Sequence, residues 1–104
     1  MSSPVVSIEL HHERLEVLWK AFHAAFKKAG VRGDHHLYRT SLGWVEVGGS
    51  EEEIRSKCES TVSNITEGVG LAEGALETLI DECVNAIVVC RNACLEDEVR
   101  RYNV

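Results

Sequence analysis

The sequence predicts a mainly α-helical protein. Three observations carry this: apolar residues recur at steps of three and four over most of the chain, Ser50 followed by Glu53 has the form of a helix-capping box, and there is a single proline. An α+β arrangement is the alternative, because short stretches between the helical patterns favour strands. The expected architecture is a helix, a small β-hairpin, then a long or kinked helix pair, packed as an oligomeric helical bundle. At 104 residues, all of this fits one domain, residues 1–104.

Residues 1–10 read as an N-terminal arm or a short strand, with "PVVSIEL" as the strand candidate. Residues 11–30 read as the first helix: Leu15, Leu18, Phe22, Ala25 and Ala29 form one apolar stripe, widened by Trp19 and Phe26. Ser7 is the nearest residue able to cap its start. Its end is marked by Lys27 and Lys28, which suit the negative end of a helix, and by Gly30, which can take the left-handed capping conformation.

Residues 36–48 read as a β-hairpin. Leu37–Thr40 and Trp44–Val47 are rich in strand-favouring side chains, and Ser41-Leu42-Gly43 suits a short connecting loop. Residues 50–68 and 70–100 read as helices. One three-four repeat runs from Cys58 through Val62, Ile65, Val69, Ala72, Leu76, Leu79, Cys83, Ala86 and Cys90 to Ala93 without a phase slip. Against a continuous helix stand Gly68, Gly70 and Gly74, each costing about 1 kcal/mol relative to alanine in a helix interior. A kink or short break near Gly68–Gly70 is the reading preferred over one unbroken helix.

The segment "IDECVNAIVVCRNACL" is apolar over most of its circumference, leaving Asp81, Asn85 and Asn92 as a narrow polar stripe. Such a helix needs more than one neighbour. The first helix spans only about 30 Å and cannot cover all of it. A second copy is the simplest cover, so the sequence predicts a homo-oligomer, a dimer first, with Leu76, Leu79, Ile80, Cys83, Ile87, Cys90 and Cys94 as interface candidates. The spacing of the C-terminal cysteines, C-x6-C-x3-C, is not that of a zinc site. They read as small buried hydrophobes, ahead of disulfide or redox use and of metal binding.

Net charge is −6, which argues against binding a phosphate backbone. The charge is uneven: residues 20–40 carry five cations against Asp34, and residues 51–82 carry nine carboxylates against Arg55 and Lys57. Two solvated faces account for this; complementary packing within or between chains is the sharper alternative. No leader sequence and no apolar run of membrane-spanning length is evident, so a cytoplasmic location with reduced thiols is expected.

For small-ligand contact, the candidates are His35, His36, Tyr38, Arg39 and Trp44, in the least regular stretch of the pattern. No metal or cofactor is expected. The alternative for Mg²⁺ is Glu73, Glu77 and Asp81, spaced four apart so as to stack on one helix face. "DECVNAIVVCRNA" resembles the helix of all-α nucleoside-triphosphate pyrophosphohydrolases of the MazG type, which present paired acids to magnesium. It departs from them in having Asn85 where the family has aspartate, and in lacking the partner helix with its EExxE motif; the resemblance covers under a fifth of the chain.

The expected function is therefore that of a small self-associating protein that acts through protein–protein binding, as an adaptor, regulator or inhibitor, rather than an enzyme. A Mg-dependent nucleotide pyrophosphohydrolase and a small-ligand-binding module are the alternatives.

Overall fold

The computed structural model describes residues 5–102, and within them the chain forms four α-helices and no strand. These are α1 (His12–Ala29), α2 (Asp34–Val47), α3 (Glu51–Ile65) and α4 (Ala75–Tyr102). With 28 residues, α4 is about 42 Å long and forms the spine of a molecule measuring 50 × 27 × 18 Å. The other three helices all pack on it.

Helix α1 ends as its sequence implies. Gly30 has φ of 74°, its N–H bonds back to Lys27 O, and the Val31 N–H reaches Phe26 O at 3.1 Å. Its start differs from expectation. Ser7 does not cap it: a 3-10 turn, Ile8–Leu10, intervenes and His11 becomes the residue before the helix, with no side-chain cap. The strand considered for the N-terminal arm does not form within the described residues. Val6 is fully buried and bonds through its N–H to Glu46 O at 2.8 Å; residues 1–4 of the arm lie outside the described residues.

The hairpin over 36–48 is overturned: that stretch is α2. Leu37, Ser41 and Val45, at steps of four, are its buried residues, and this burial outweighs the strand preference of Tyr38, Thr40, Trp44 and Val47. The hydroxyls that favour turns are satisfied inside the helix, where Thr40 Oγ1 donates to His36 O and Ser41 Oγ to Tyr38 O. Gly43, expected in a loop, sits mid-helix on the exposed side with nothing within 4 Å of a would-be Cβ.

Helix α3 opens with the expected cap, as Ser50 Oγ accepts from the Glu53 N–H at 3.1 Å. The break after it is wider than a kink. α3 stops at Ile65, α4 starts at Ala75, and the connection turns through Gly68 and Gly74, both with φ near 80°. The chain reverses there, so α3 returns alongside α4. Arg55 pairs with Asp81 at 2.8 Å, and Cys58 and Val62 join Leu79, Ile80 and Cys83 in the core.

This reversal changes the account of the apolar C-terminal helix. Leu79, Ile80, Cys83, Ile87, Cys90 and Cys94 are at most 8% exposed within the single chain, and Leu76 is half-buried. A second copy was expected because α1, the one helix counted on to cover this segment, is too short to do so. With α2 helical and α3 folded back, three helices supply the cover, and these residues are core positions of one chain.

The N-terminal arm is tied to the far end of α4. Glu98 Oε1 accepts the Ser7 N–H at 2.9 Å and meets His11 Nε2 at 3.1 Å; His11 itself is 3% exposed. These bonds, the Ser7 N–H first and then His11, hold the Glu98 carboxyl below its ordinary 4.5. A carboxyl whose value is lower in the folded state stabilises the fold above its unfolded value and loses that contribution as pH falls through the folded one. The urea midpoint is therefore expected to be level near neutrality and to fall below pH ~4.5, with a shallower fall in Glu98→Gln. An equally steep acid limb in that variant would remove Glu98 as the cause.

Among the described residues, no helix is long and apolar enough to cross a membrane.

Candidate interaction face between α1 and α4

Helices α1 and α4 run antiparallel, and an ion pair closes each end of their junction. At one end Arg14 donates to both oxygens of Asp97, at 3.0 and 3.2 Å. At the other, Lys28 Nζ lies 2.7 Å from Glu82 Oε1. The Arg14 hydrogen bond lowers the Asp97 carboxyl and raises the guanidinium. Between the two pairs runs a groove of about 300 Å³.

The floor of the groove is Leu18 and Cys90, both buried. Cys90 Sγ donates to Arg14 O at 3.6 Å, tying the helices beneath it. Its walls are Ala21, Ala86 and Ala93, and its lips are Val17 and Val89, which are 64% and 56% exposed. Along α4 the outward positions between Glu82 and Glu96 carry no charge, being Asn85, Ala86, Val89, Asn92 and Ala93. Arg91 falls within that interval but turns inward, buried, and donates to Val45 O at the C-terminal end of α2. The other exposed large apolar side chains among the described residues are Val5, Leu10, Val47, Val69 and Val99.

The residues singled out for ligand contact are brought together in part. His35, His36 and Arg39 line a shallow recess on α2 with Thr40. Tyr38 turns the other way, its ring centroid 5.4 Å from that of Trp19, which also meets His35 at 5.7 Å and His23 at 6.1 Å. Burial raises the Tyr38 hydroxyl, and His23 Nδ1 lies 2.9 Å from Asp34. Trp44 is half-buried against the core and is not part of the recess.

The acids considered for Mg²⁺ do not form one row. Glu73 lies in the connection before α4, Glu77 is exposed on its first turn, and Asp81 is paired with Arg55. Glu82, in the segment that resembles the pyrophosphohydrolase helix, is paired with Lys28. No three His, Cys, Asp or Glu side chains among the described residues are grouped to hold a metal ion.

All four cysteines are free and buried. Burial pushes the Cys58 and Cys90 thiols up to about 12 from an ordinary 9.0, and raises Cys83 and Cys94 as well. A thiol so protonated is a packing group rather than a nucleophile.

Compared with known proteins, the chain matches no protein-family model, no curated protein and no solved structure.

Proposed function

We propose that the chain acts by protein–protein binding, as an adaptor, regulator or inhibitor, and that the α1–α4 face is its binding surface. One observation carries the reading: Val17 and Val89 stand exposed on either side of an apolar groove whose outward positions on α4 between Glu82 and Glu96 are uncharged. Depletion of charge at the centre of a patch, with ionic residues at its rim, is the pattern of interface cores. The fold gains little from two valines in water, so their use lies in what covers them.

The enzymatic alternative draws less support. Hydrolysis of a nucleotide with Mg²⁺ needs several free carboxylates from two helices at one point, and Asp81 and Glu82 are each held by a cation of a neighbouring helix. The small-ligand alternative needs rings that line a cavity; Trp19, Tyr38 and His35 pack instead against one another.

Replacing Val17 and Val89 together by aspartate tests the reading. The variant is expected to keep its helicity and to melt within about 0.5 kcal/mol of the parent, since both side chains are exposed. The parent at high dilution is expected to raise the emission of Nile red, a neutral dye that reports apolar surface, and the variant is not. Unfolding of the variant would place the valines in the core, and unchanged dye emission would put the exposed apolar surface elsewhere.

A further inference from the structure

Separately from the α1–α4 face, we infer that residues 5–11 form a strap that opens as a unit from a four-helix body that stays folded, and that Glu98 is its latch. The strap is a self-contained piece. Its 3-10 turn is closed by its own bonds, from the Leu10 N–H to Ser7 O and from the His11 N–H to Ile8 O, and no side chain caps its start. Among the described residues it is pinned by polar contacts at three points. The Val6 N–H bonds to Glu46 O at the end of α2. The Ser7 N–H and His11 Nε2 both meet Glu98 Oε1 on α4, at 2.9 and 3.1 Å. Two of the three attachments thus end on one oxygen atom.

Little apolar burial ties the strap down. Of the eighteen buried apolar side chains among the described residues it supplies Val6 alone, with Ile8 half-buried against the core; Val5, Glu9 and Leu10 stand exposed. The helices do not need it to cover one another, since α1, α2 and α3 each pack on α4 directly. A segment with few apolar contacts and few bonds opens at far lower cost than a core helix. The hinge lies at His11, whose carbonyl accepts the Leu15 N–H of α1 while its own N–H belongs to the turn of the strap.

Glu98 holds the strap through its charge. A main-chain N–H donating to a carboxylate makes a stronger bond than one donating to a neutral acceptor. Among the described residues, the titratable and charged groups acting on Glu98 are His11 from the strap and Arg101 from its own helix. Its neighbour Asp97 lies 3.9 Å from His11 Nδ1 and is held by Arg14 of α1, while α2 contributes the Glu46 backbone carbonyl to Val6. A proton on Glu98 weakens both of its contacts at once, so the strap loosens as pH falls below 4.5, the ordinary value of that carboxyl.

Hydrogen exchange of single amides, followed by NMR in the full chain, tests the inference. The Leu18 and Ile87 amides, buried in α1 and α4, are expected to exchange through unfolding of the body and to quicken steeply with sub-denaturing urea. The Val6 and Ser7 amides are expected to exchange at least about tenfold faster and to respond little to urea, because their opening exposes little surface. Glu98→Ala is expected to speed the Ser7 amide at least about tenfold more at neutral pH. Protection of Ser7 is expected to fall below pH ~4.5 in the parent and to show no such acid fall in Glu98→Ala. If Glu98→Ala does not fold, Glu98→Gln takes its place; it keeps an acceptor without the charge, and a smaller acceleration with the same missing acid fall is expected. Val6 and Ser7 amides that match Leu18 and Ile87 in rate and urea dependence overturn the strap as a separate unit. A Ser7 amide indifferent to the Glu98 variant and to acid overturns Glu98 as its latch.

Discussion

Gly48→Ala is expected to destabilise the fold by about 3 kcal/mol, a large effect for one methyl group. Gly48 follows α2 with φ of 85° and ψ of −135°, a conformation that side-chain-bearing residues rarely adopt. An added Cβ would also lie 2.2 Å from the Arg91 guanidinium carbon. Arg91 cannot swing aside freely: it is 6% exposed and its Nη1 donates to Val45 O. Moving it would leave the last turn of α2 without that donor, beside the negative end of the helix. Backbone strain and loss of the arginine bond therefore add. The check is chemical denaturation of the variant beside Gly43→Ala, where alanine has open space within a helix and is expected to be neutral or stabilising. Equal stabilities for the two variants would refute the account.

The second large effect concerns the thiols. With Cys58 and Cys90 raised to about 12, the thiolate present at pH 8 is lower by roughly a thousandfold than for an ordinary cysteine, before access is considered. Cys83 and Cys94 are raised by the same burial and are 0% exposed. In the native protein none of the four is expected to react with an aromatic disulfide reagent on the timescale that labels a free cysteine. All four are expected to react at once in concentrated guanidinium. Reaction under native conditions would then follow opening of the helices and report the free energy of that opening. Prompt labelling of even one thiol would contradict the packing around α4.

How much of this was legible beforehand varies with where the information lies. The end of α1 is encoded locally, in Lys27, Lys28 and Gly30, and so is the start of α3, in Ser50 and Glu53; both could be read. Helix α2 could not, because its buried row passes through Ser41, which breaks the apolar repeat, while the half-buried Tyr38, Thr40 and Trp44 favour strands. Burial decided the outcome, and burial belongs to the whole fold. The glycines marked where the chain leaves α3 but not that it would turn back, and that reversal is what moved the α4 cysteines from an expected interface into the core.

The proposed binding face was missed for a related reason. Val17, Ala21, Ala86, Val89 and Ala93 are unremarkable one by one, and the signal available was the absence of charge on one side of α4. Arg91 conceals that gap in the sequence. Its burial and its bond to the Val45 carbonyl take it off the face.

The position of α4 as the common partner of the other three helices bears on how the protein is made. Among the described residues, seven of the eighteen buried apolar side chains belong to it, and it is translated after α1, α2 and α3. A nascent chain that has emerged only to residue 74 holds α1, α2 and α3 with their apolar faces turned toward a helix not yet present. Cooperative folding thus waits until translation of α4 is nearly complete, and until then the growing polypeptide is a natural client for chaperones.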